Sequence, residues 1–266
     1  MLKDYEKIAR EVRRKALTMI HRAQTAHTAS NFSVTDLAVV LYENLKPKDR
    51  VVWSKGWAAV TTYVLLARRG IIPESDLDIF PKKPYINLVE VGVKGVETTG
   101  GSMGHGLPVA LGIALGQKKT ETPGMVYCIM SDGEMNEGTT WESAMVASHH
   151  NLDNLTVFID RNTWQAMGRT EDVLRLEPIE EKWKAFGWDV FRVNGHDYEA
   201  LEKALLIPTS VKPKVIVCDT IKGKGVSFME DSLVFHYKVI DKETYERAMN
   251  ELIDDKEYKQ ALKELK

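Results

Sequence analysis

Residues 125–168 read MVYCIMSDGEMNEGTTWESAMVASHHNLDNLTVFIDRNTWQAMG. An apolar, β-rich run, Met125 to Met130, stops at Ser131-Asp132-Gly133. A helical pattern follows from about Thr140 to His150, and a second apolar run, Leu155 to Ile159, stops at Asp160-Arg161-Asn162. Strand, helix, strand at this length is a βαβ crossover. In a parallel sheet the carboxyl ends of neighbouring strands share one edge, where ligands bind. Asp132 and Asn162, 30 positions apart, therefore come together. One anionic and one neutral oxygen donor suit Mg2+, with Ca2+ or Mn2+ as substitutes, because such an ion completes its shell with water and phosphate oxygens. Gly133 has no Cβ, so its N–H is open to a diphosphate oxygen. Taken singly, Asp132-Gly133 is a turn and Asn162 a cap. Taken as a pair on matched strand ends, they favour the metal and diphosphate reading.

Outward from this unit, the pattern repeats. Upstream, Val96 to Gly106 carries four glycines before a helical run from Leu107 to Lys118, a backbone able to press against a phosphate or a flat ring. Residues 4–24 have helical apolar spacing and end in a polar turn over 25–31; Ser33 or Thr35 caps a second helix with its apolar body at Leu37 to Leu45. Strands are expected at Asp49 to Ser54, Trp188 to Val193 and Lys214 to Asp219. Helices are expected at Ala58 to Arg69, Ile179 to Phe186 and Glu199 to Ile207, the last begun by His196, and over 241–252 and 255–265 at the end. Residues 71–95 read as loop. Five strands with helices between them make a doubly wound α/β fold, a mostly parallel sheet with helices on both faces, in a single domain over 1–266. No G-x-x-x-x-G-K-[ST] occurs, so nucleotide hydrolysis has no support.

SDGEMNEGTTWESA followed by VFIDRNTWQAMG resembles the thiamine diphosphate motif, with Ser131 where the family commonly has glycine. The surrounding sequence is similar to the transketolase branch, and in particular to the separately encoded amino-terminal subunits of split transketolases. The resemblance implies a bound thiamine diphosphate and Mg2+, the ion held by Asp132, Asn162 and the backbone oxygen of Trp164. It assigns Gly101 to the diphosphate and Met103 to the middle of the cofactor, and adds Gly133, Glu137, Asn162 and Ile221 as cofactor contacts. Glu142 falls at a position usually found at the subunit interface. His27, His105 and His236 match the histidines that face the sugar. The lysines of the family-like run Thr220 to Gly225 offer charge to the diphosphate, although lysines at a loop end are ordinarily solvated.

Departures from the family are equally specific. Thr28 and Ala29 replace the Pro and Gly that follow the histidine matched by His27. Trp57 replaces the histidine of an S-x-G-H break, which reassigns part of its role to Lys55 if the tryptophan does not simply pack on the preceding strand. No histidine lies between Trp57 and His105, Leu233 replaces a further one, and Tyr237 stands for a glycine. The implied activity is transfer of a two-carbon ketol unit from a ketose to an aldose. It requires a separate, carboxy-terminal, pyrimidine-binding transketolase subunit, in a complex of two copies of each chain. The alternatives are a deoxyxylulose-phosphate-synthase-like half, another thiamine diphosphate lyase or transferase half, and a non-catalytic cofactor-binding subunit.

Composition narrows the rest. The chain has 266 residues, 36 basic against 38 acidic, net charge −2, with no signal for nucleic acid or another polyanion. Two cysteines, Cys128 and Cys218, fall inside expected strands, with neither metal spacing nor a disulfide framework. The amino terminus lacks the apolar core of a signal peptide, and no run approaches a membrane span. A soluble, cytoplasmic protein is the expectation.

Overall fold

A computed structural model describes residues 4–208 and 211–253. In chain order the elements are α1 (Tyr5–Ala23), α2 (Thr28–Asn44), β1 (Arg50–Trp53), α3 (Ala59–Arg68), α4 (Gly106–Lys119), β2 (Val126–Ser131), α5 (Gly138–His149), β3 (Leu155–Arg161), α6 (Thr170–Val173), α7 (Ile179–Ala185), β4 (Asp189–Asn194), α8 (Tyr198–Leu206), β5 (Lys214–Asp219), α9 (Val234–Tyr237) and α10 (Lys242–Leu252). The five strands form one sheet in the order β1-β2-β3-β5-β4, every pair parallel.

Strands β2, β3 and β5 are apolar almost without interruption because both of their faces are covered. On one face Val51, Trp53, Ile129, Phe158 and Ile216 join α1, α2, α3, α8 and α10. On the other, Val52, Cys128, Met130, Val157 and Val217 join α4, α5 and α7. The split follows from right-handed crossovers. Steps from β1 through β3 and on to β4 run one way along the sheet; the step from β4 back to β5 reverses, so α8 falls on the opposite face. The doubly wound reading is thus borne out, and the parallel register sets Ser131 beside Asp160.

Three local expectations need correction. The turn over 25–31 is shorter than its polarity implies, because α2 already begins at Thr28 and contains Ser33 and Thr35 in its body. Every residue from Thr28 to Tyr42 is buried, so the helix has no polar face to reveal its period. Neighbours satisfy several of its polar side chains, though not the Thr28 hydroxyl: Asn31 Oδ1 accepts from Thr61 N at 2.9 Å, and Thr35 Oγ1 donates to Asn31 O at 2.8 Å. The cap of α8 is Asp197, which accepts from Ala200 N at 3.0 Å, and not His196, which turns inward to Asp36. The loop over 71–95 includes a turn of 3-10 helix at Glu74–Asp78. Helix α10 matches the expectation for 241–252, whereas the one for 255–265 lies outside the described residues. Among the described residues, no helix is long and apolar enough to cross a membrane.

Candidate functional site

The carboxyl ends of β2 and β3 deliver Asp132 and Asn162 to one edge, where Asp132 N donates to Asp160 O at 3.2 Å. Asp132 is buried. Its Oδ1 accepts from Gly133 N at 2.9 Å, and its Oδ2 from Thr163 N and Thr170 Oγ1, each at 2.9 Å. These bonds fix the carboxylate without neutralising it. Burial, then the nearby charge of Asp160, pushes its pKa up to about 6. Asn162 Oδ1 accepts from Trp164 N at 3.1 Å, which keeps a second lone pair, while its Nδ2 donates to Asp160 Oδ2 at 3.2 Å. Trp164 is anchored by Arg169, whose guanidinium lies 3.8 Å from the indole centroid, and by Asp231, which accepts from Trp164 Nε1 at 2.7 Å.

A cleft of about 340 Å3 opens above these strand ends, lined among others by His27, Trp57, Met103, Asp132, Lys222 and His236. Gly101, Gly133, Asn162 and Trp164 line it as well. Glycine is required at the crossing of two loops on its rim, because a Cβ on Gly56 would come within 2.7 Å of the Gly100 Cα. His27 sits just ahead of α2 with φ of 73°. Its ring stacks on Trp57 with centroids 4.4 Å apart and meets His236 edge-on at 5.1 Å. Burial, then the charge of Lys222, lowers His27 to about 4 and His236 to about 3. Both imidazoles are therefore neutral near pH 7 and able to donate from one nitrogen while accepting at the other.

Three predicted residues lie elsewhere. His105 is exposed at the start of α4, Glu137 is half-buried at the start of α5, and Ile221 is 37 % exposed, its N–H donating to His196 Nε2 at 2.8 Å. None of the three lines the cleft. Trp57 does not pack on the preceding strand; it is 37 % exposed and forms a wall of the cleft. Lys55 is not free to replace a histidine, since it is buried in an ion pair with Asp160, a carboxylate that also accepts from Ser33 Oγ and Thr220 Oγ1. Burial alone would raise Asp160, but Lys55 and these donors hold it below the usual carboxylate range. Nor is Lys222 solvated: it is 2 % exposed.

Sequence reasoning places Glu134 among the polar positions near the cofactor end but gives it no role beyond a solvated helix start. It is buried, its Oε2 has no hydrogen-bond partner, and burial raises its pKa to about 8. A position three residues past the end of β2 was the available signal. The cleft is thus lined by two buried carboxylates raised by burial and two buried ammonium groups, of which Lys55 is paired with Asp160 and Lys222 is not. Among the described residues no three His, Cys, Asp or Glu side chains cluster as a metal site. The donors at hand are one carboxylate, one amide oxygen and one backbone carbonyl, a set that leaves the rest of an octahedron to water and phosphate. The residues therefore fit a magnesium diphosphate.

Fold and cleft define a class first: a parallel α/β domain that gathers oxygen donors and an amine at the carboxyl edge of its sheet for a phosphorylated cofactor. The chain belongs to the family described as transketolase, thiamine diphosphate binding domain, which matches residues 5–252, and with it to the transketolase-like transferases. It is 35 % identical to one subunit of the apulose-4-phosphate transketolase of Actinobacillus succinogenes, over 95 % of this chain and 97 % of the relative. It is 33 % identical to the 6-deoxy-6-sulfo-D-fructose transketolase subunit SqwG of a Clostridium species, over 94 % and 96 %. The crystal structure of a transketolase from Campylobacter jejuni superposes with a TM-score of 0.87 at 27 % identity, covering 95 % of this chain but 43 % of that one. The chain spans less than half of the solved enzyme.

Proposed function

We propose that this chain is the diphosphate-binding subunit of an enzyme that moves a two-carbon ketol unit from a ketose to an aldose. The observation that carries the reading is the pair Asp132 and Asn162, buried side by side on adjacent strand ends beneath a cleft with an unneutralised lysine. Asp132, the Asn162 amide oxygen and the Trp164 carbonyl would hold Mg2+, and Gly133 with the Gly100-Gly101 loop would admit the diphosphate. When bound, thiamine diphosphate supplies the electron sink for breaking and remaking a C–C bond beside a carbonyl. The chain's own residues orient the sugar: His27 and His236 offer neutral ring nitrogens, and the indole of Trp57 closes one side. Because the ring at Trp57 carries one N–H and no acceptor, the donor is expected to differ from an ordinary pentose phosphate. The relatives named for apulose 4-phosphate and a sulfo sugar accord with that.

A partner contributing the pyrimidine half of the cofactor site completes the enzyme. Two observations support it: the relatives are named as single subunits of their transketolases, and this chain spans only a fraction of the solved enzyme. Two copies of each chain follow the usual two-fold closure of oligomers. The single domain over 1–266 is part of the same proposal. We assign it to the cytoplasm, where two free, buried cysteines are in keeping with a reducing environment.

The test is calorimetry and a two-carbon transfer assay on the chain with and without the product of a neighbouring transketolase-like gene. Mg2+-dependent cofactor binding and transfer are expected only for the pair. Full turnover by this chain alone would overturn the two-chain reading, and cofactor affinity unchanged in Asp132→Asn would overturn the metal assignment. A non-catalytic cofactor-binding subunit would bind and never transfer.

A further inference from the structure

The two imidazoles of the cleft are held differently. His27 has φ of 73°, a backbone conformation that costs a non-glycine residue and persists only where its surroundings impose it. Its carbonyl accepts from Ser30 N and Asn31 N, each at 3.1 Å, and from Asn31 Nδ2 at 3.0 Å, while its N–H donates to His236 O at 3.1 Å. The ring lies on Trp57, and Asn87 Nδ2 comes within 3.4 Å of His27 Nδ1. Among the described residues that is the ring's one hydrogen bond, so Nε2 is left to the cleft that His27 lines. His236 has no counterpart to Asn87: its Nδ1 is buried without a partner.

Asn87 lies in the stretch between Trp57 and His105 that holds no histidine, and its backbone is pinned on both sides. Tyr63 OH reaches the carbonyls of Leu88 at 2.6 Å and Ile86 at 3.1 Å. Val89 N donates to Gly56 O at 3.2 Å, and Val89 O accepts from Gly100 N at 2.8 Å. The direction of the amide follows from what burial permits. Asn87 Oδ1 is buried with no partner. Turned over, the group would orphan two N–H donors at that spot in place of one acceptor, and buried orphan N–H groups are the rarer of the two. Nδ2 is therefore the atom that faces His27. A neutral imidazole that receives a hydrogen bond at Nδ1 carries its own proton on Nε2.

We propose that Asn87 is a positioning residue that fixes His27 in its Nε2–H tautomer, so that the cleft meets His27 as a one-way hydrogen-bond donor. A ligand atom that accepts is selected at this point: a carbonyl or hydroxyl oxygen fits, and an ammonium is refused. That the oxygen belongs to the donor ketose rests on the function proposed above; the tautomer does not.

The test reads the tautomer first and its consequence second. The full-length chain with isotope-labelled histidine is observed by NMR near neutral pH without ligands, and His27→Gln identifies the signals of His27. The wild type is expected to carry the proton on Nε2. Asn87→Asp, almost the same shape, offers Nδ1 an acceptor instead of a donor and should place a proton on Nδ1, whereas Asn87→Leu removes the preference and should give a mixture. With the partner chain and thiamine diphosphate present, kcat/KM for the preferred ketose should fall about ten- to a hundredfold in Asn87→Asp, the size of effect found where the group orienting an imidazole is lost. The loss should be smaller in Asn87→Leu, and cofactor affinity should stay within about threefold of the wild type in both. Should Asn87→Asp fail to fold, Asn87→Leu carries the comparison, since it also removes the orphan Oδ1. A wild-type ring protonated on Nδ1, or shared between its two nitrogens, overturns the proposal. So does a tautomer unmoved in both variants, even if activity falls, because Asn87 would then only shape the loop. A wild type fixed on Nε2 that transfers nothing with the partner leaves the tautomer standing and removes the ketol-transfer function; transfer with a mixed tautomer does the reverse.

Discussion

Two buried carboxylates of the same type, Asp36 and Asp132, are handled in opposite ways. Asp36 on α2 is closed on all sides. It accepts from Arg13 Nη1 and Nη2, each at 2.8 Å, from Tyr198 OH at 2.8 Å, and faces His196 Nδ1 at 2.6 Å. Burial alone would raise its pKa, but Arg13 and His196 hold it far below the usual carboxylate range. Asp132 accepts only neutral donors and is raised to about 6. One network ties α1, α2 and the start of α8 together and leaves nothing for a ligand; the other keeps an uncompensated charge at the floor of a cleft. Satisfaction of buried polar groups is the rule in folded proteins, so the exceptions mark where binding completes the structure.

The same substitution should therefore do opposite things at the two sites. Asp36→Asn leaves Arg13 buried against a neutral amide and is expected to cost about 3–5 kcal/mol, read as a lower urea midpoint with an unchanged slope. Whereas Asp132→Ala strands the Gly133, Thr163 and Thr170 donors together, Asp132→Asn keeps the shape of the side chain and, with Nδ2 turned toward Gly133, leaves that one N–H without an acceptor while removing an uncompensated buried charge. Its ligand-free stability should move by no more than about 1 kcal/mol, while Mg2+-dependent affinity for thiamine diphosphate falls about a hundredfold or more, equivalent to about 2.7 kcal/mol. Asn162→Ala, which removes a neutral donor, should lose less. If the two Asp→Asn variants destabilise the ligand-free protein alike, the contrast between the sites is wrong.

Acid sharpens the contrast in a smaller way. His27 and His236 have folded pKa values of about 4 and about 3, below the ordinary 6.5, with burial the leading cause. Between pH 6.5 and about 4 the unfolded chain binds more protons than the folded one, so the stability these rings contribute is complete above pH 6.5 and is lost as the pH falls. Asp132 and Glu134, raised to about 6 and about 8, act in the opposite sense. The measurement is therefore the difference in melting temperature between the wild type and the His27→Gln/His236→Gln variant across pH 4–8. That difference should shift against the wild type as the pH drops; a flat difference would place both rings in water.

The sequence carried the framework of this molecule because its signals are local. Apolar runs such as Val126–Ser131 and Lys214–Asp219, each ending at oxygen-bearing side chains, announce a parallel sheet and its functional edge, and Asp132 and Asn162 follow from that. The opening of α2 was not legible, because a helix buried all round loses its period and the polar residues of Thr28 to Asp36 look like a turn until Thr61 and Arg13 are placed beside them. Lys55 and Lys222 could not be told apart either. Both follow strand ends, and only the fold reveals that Asp160 neutralises one while the other meets Ser30 alone. Lys224, two positions on, does behave as a loop-end lysine, half-buried and 3.3 Å from Glu230. Glu134 was hidden for the same reason: its isolation is a property of its surroundings, not of its neighbours in sequence.

The smallest expected effect concerns Trp57, which belongs to the cleft but to neither carboxylate. Its indole stacks on His27 at 4.4 Å with planes 24° apart, and its carbonyl accepts from Asn31 Nδ2 at 3.3 Å, so the ring is held as a wall. Trp57→His removes bulk and adds an acceptor without touching Asp132, Asn162 or Lys222. Affinity for thiamine diphosphate and Mg2+ should stay within about threefold of the wild type, under about 1 kcal/mol. What should change is the choice of donor, because a pocket re-shaped by one ring alters discrimination by about ten- to a hundredfold. Measured as kcat/KM over a panel of ketoses with the partner chain present, the variant is expected to gain on an unmodified pentose phosphate and lose on the preferred donor. If the wild type already turns over that pentose phosphate fastest, Trp57 does not select the sugar, and the aromatic wall serves only to bury His27 and keep its imidazole neutral.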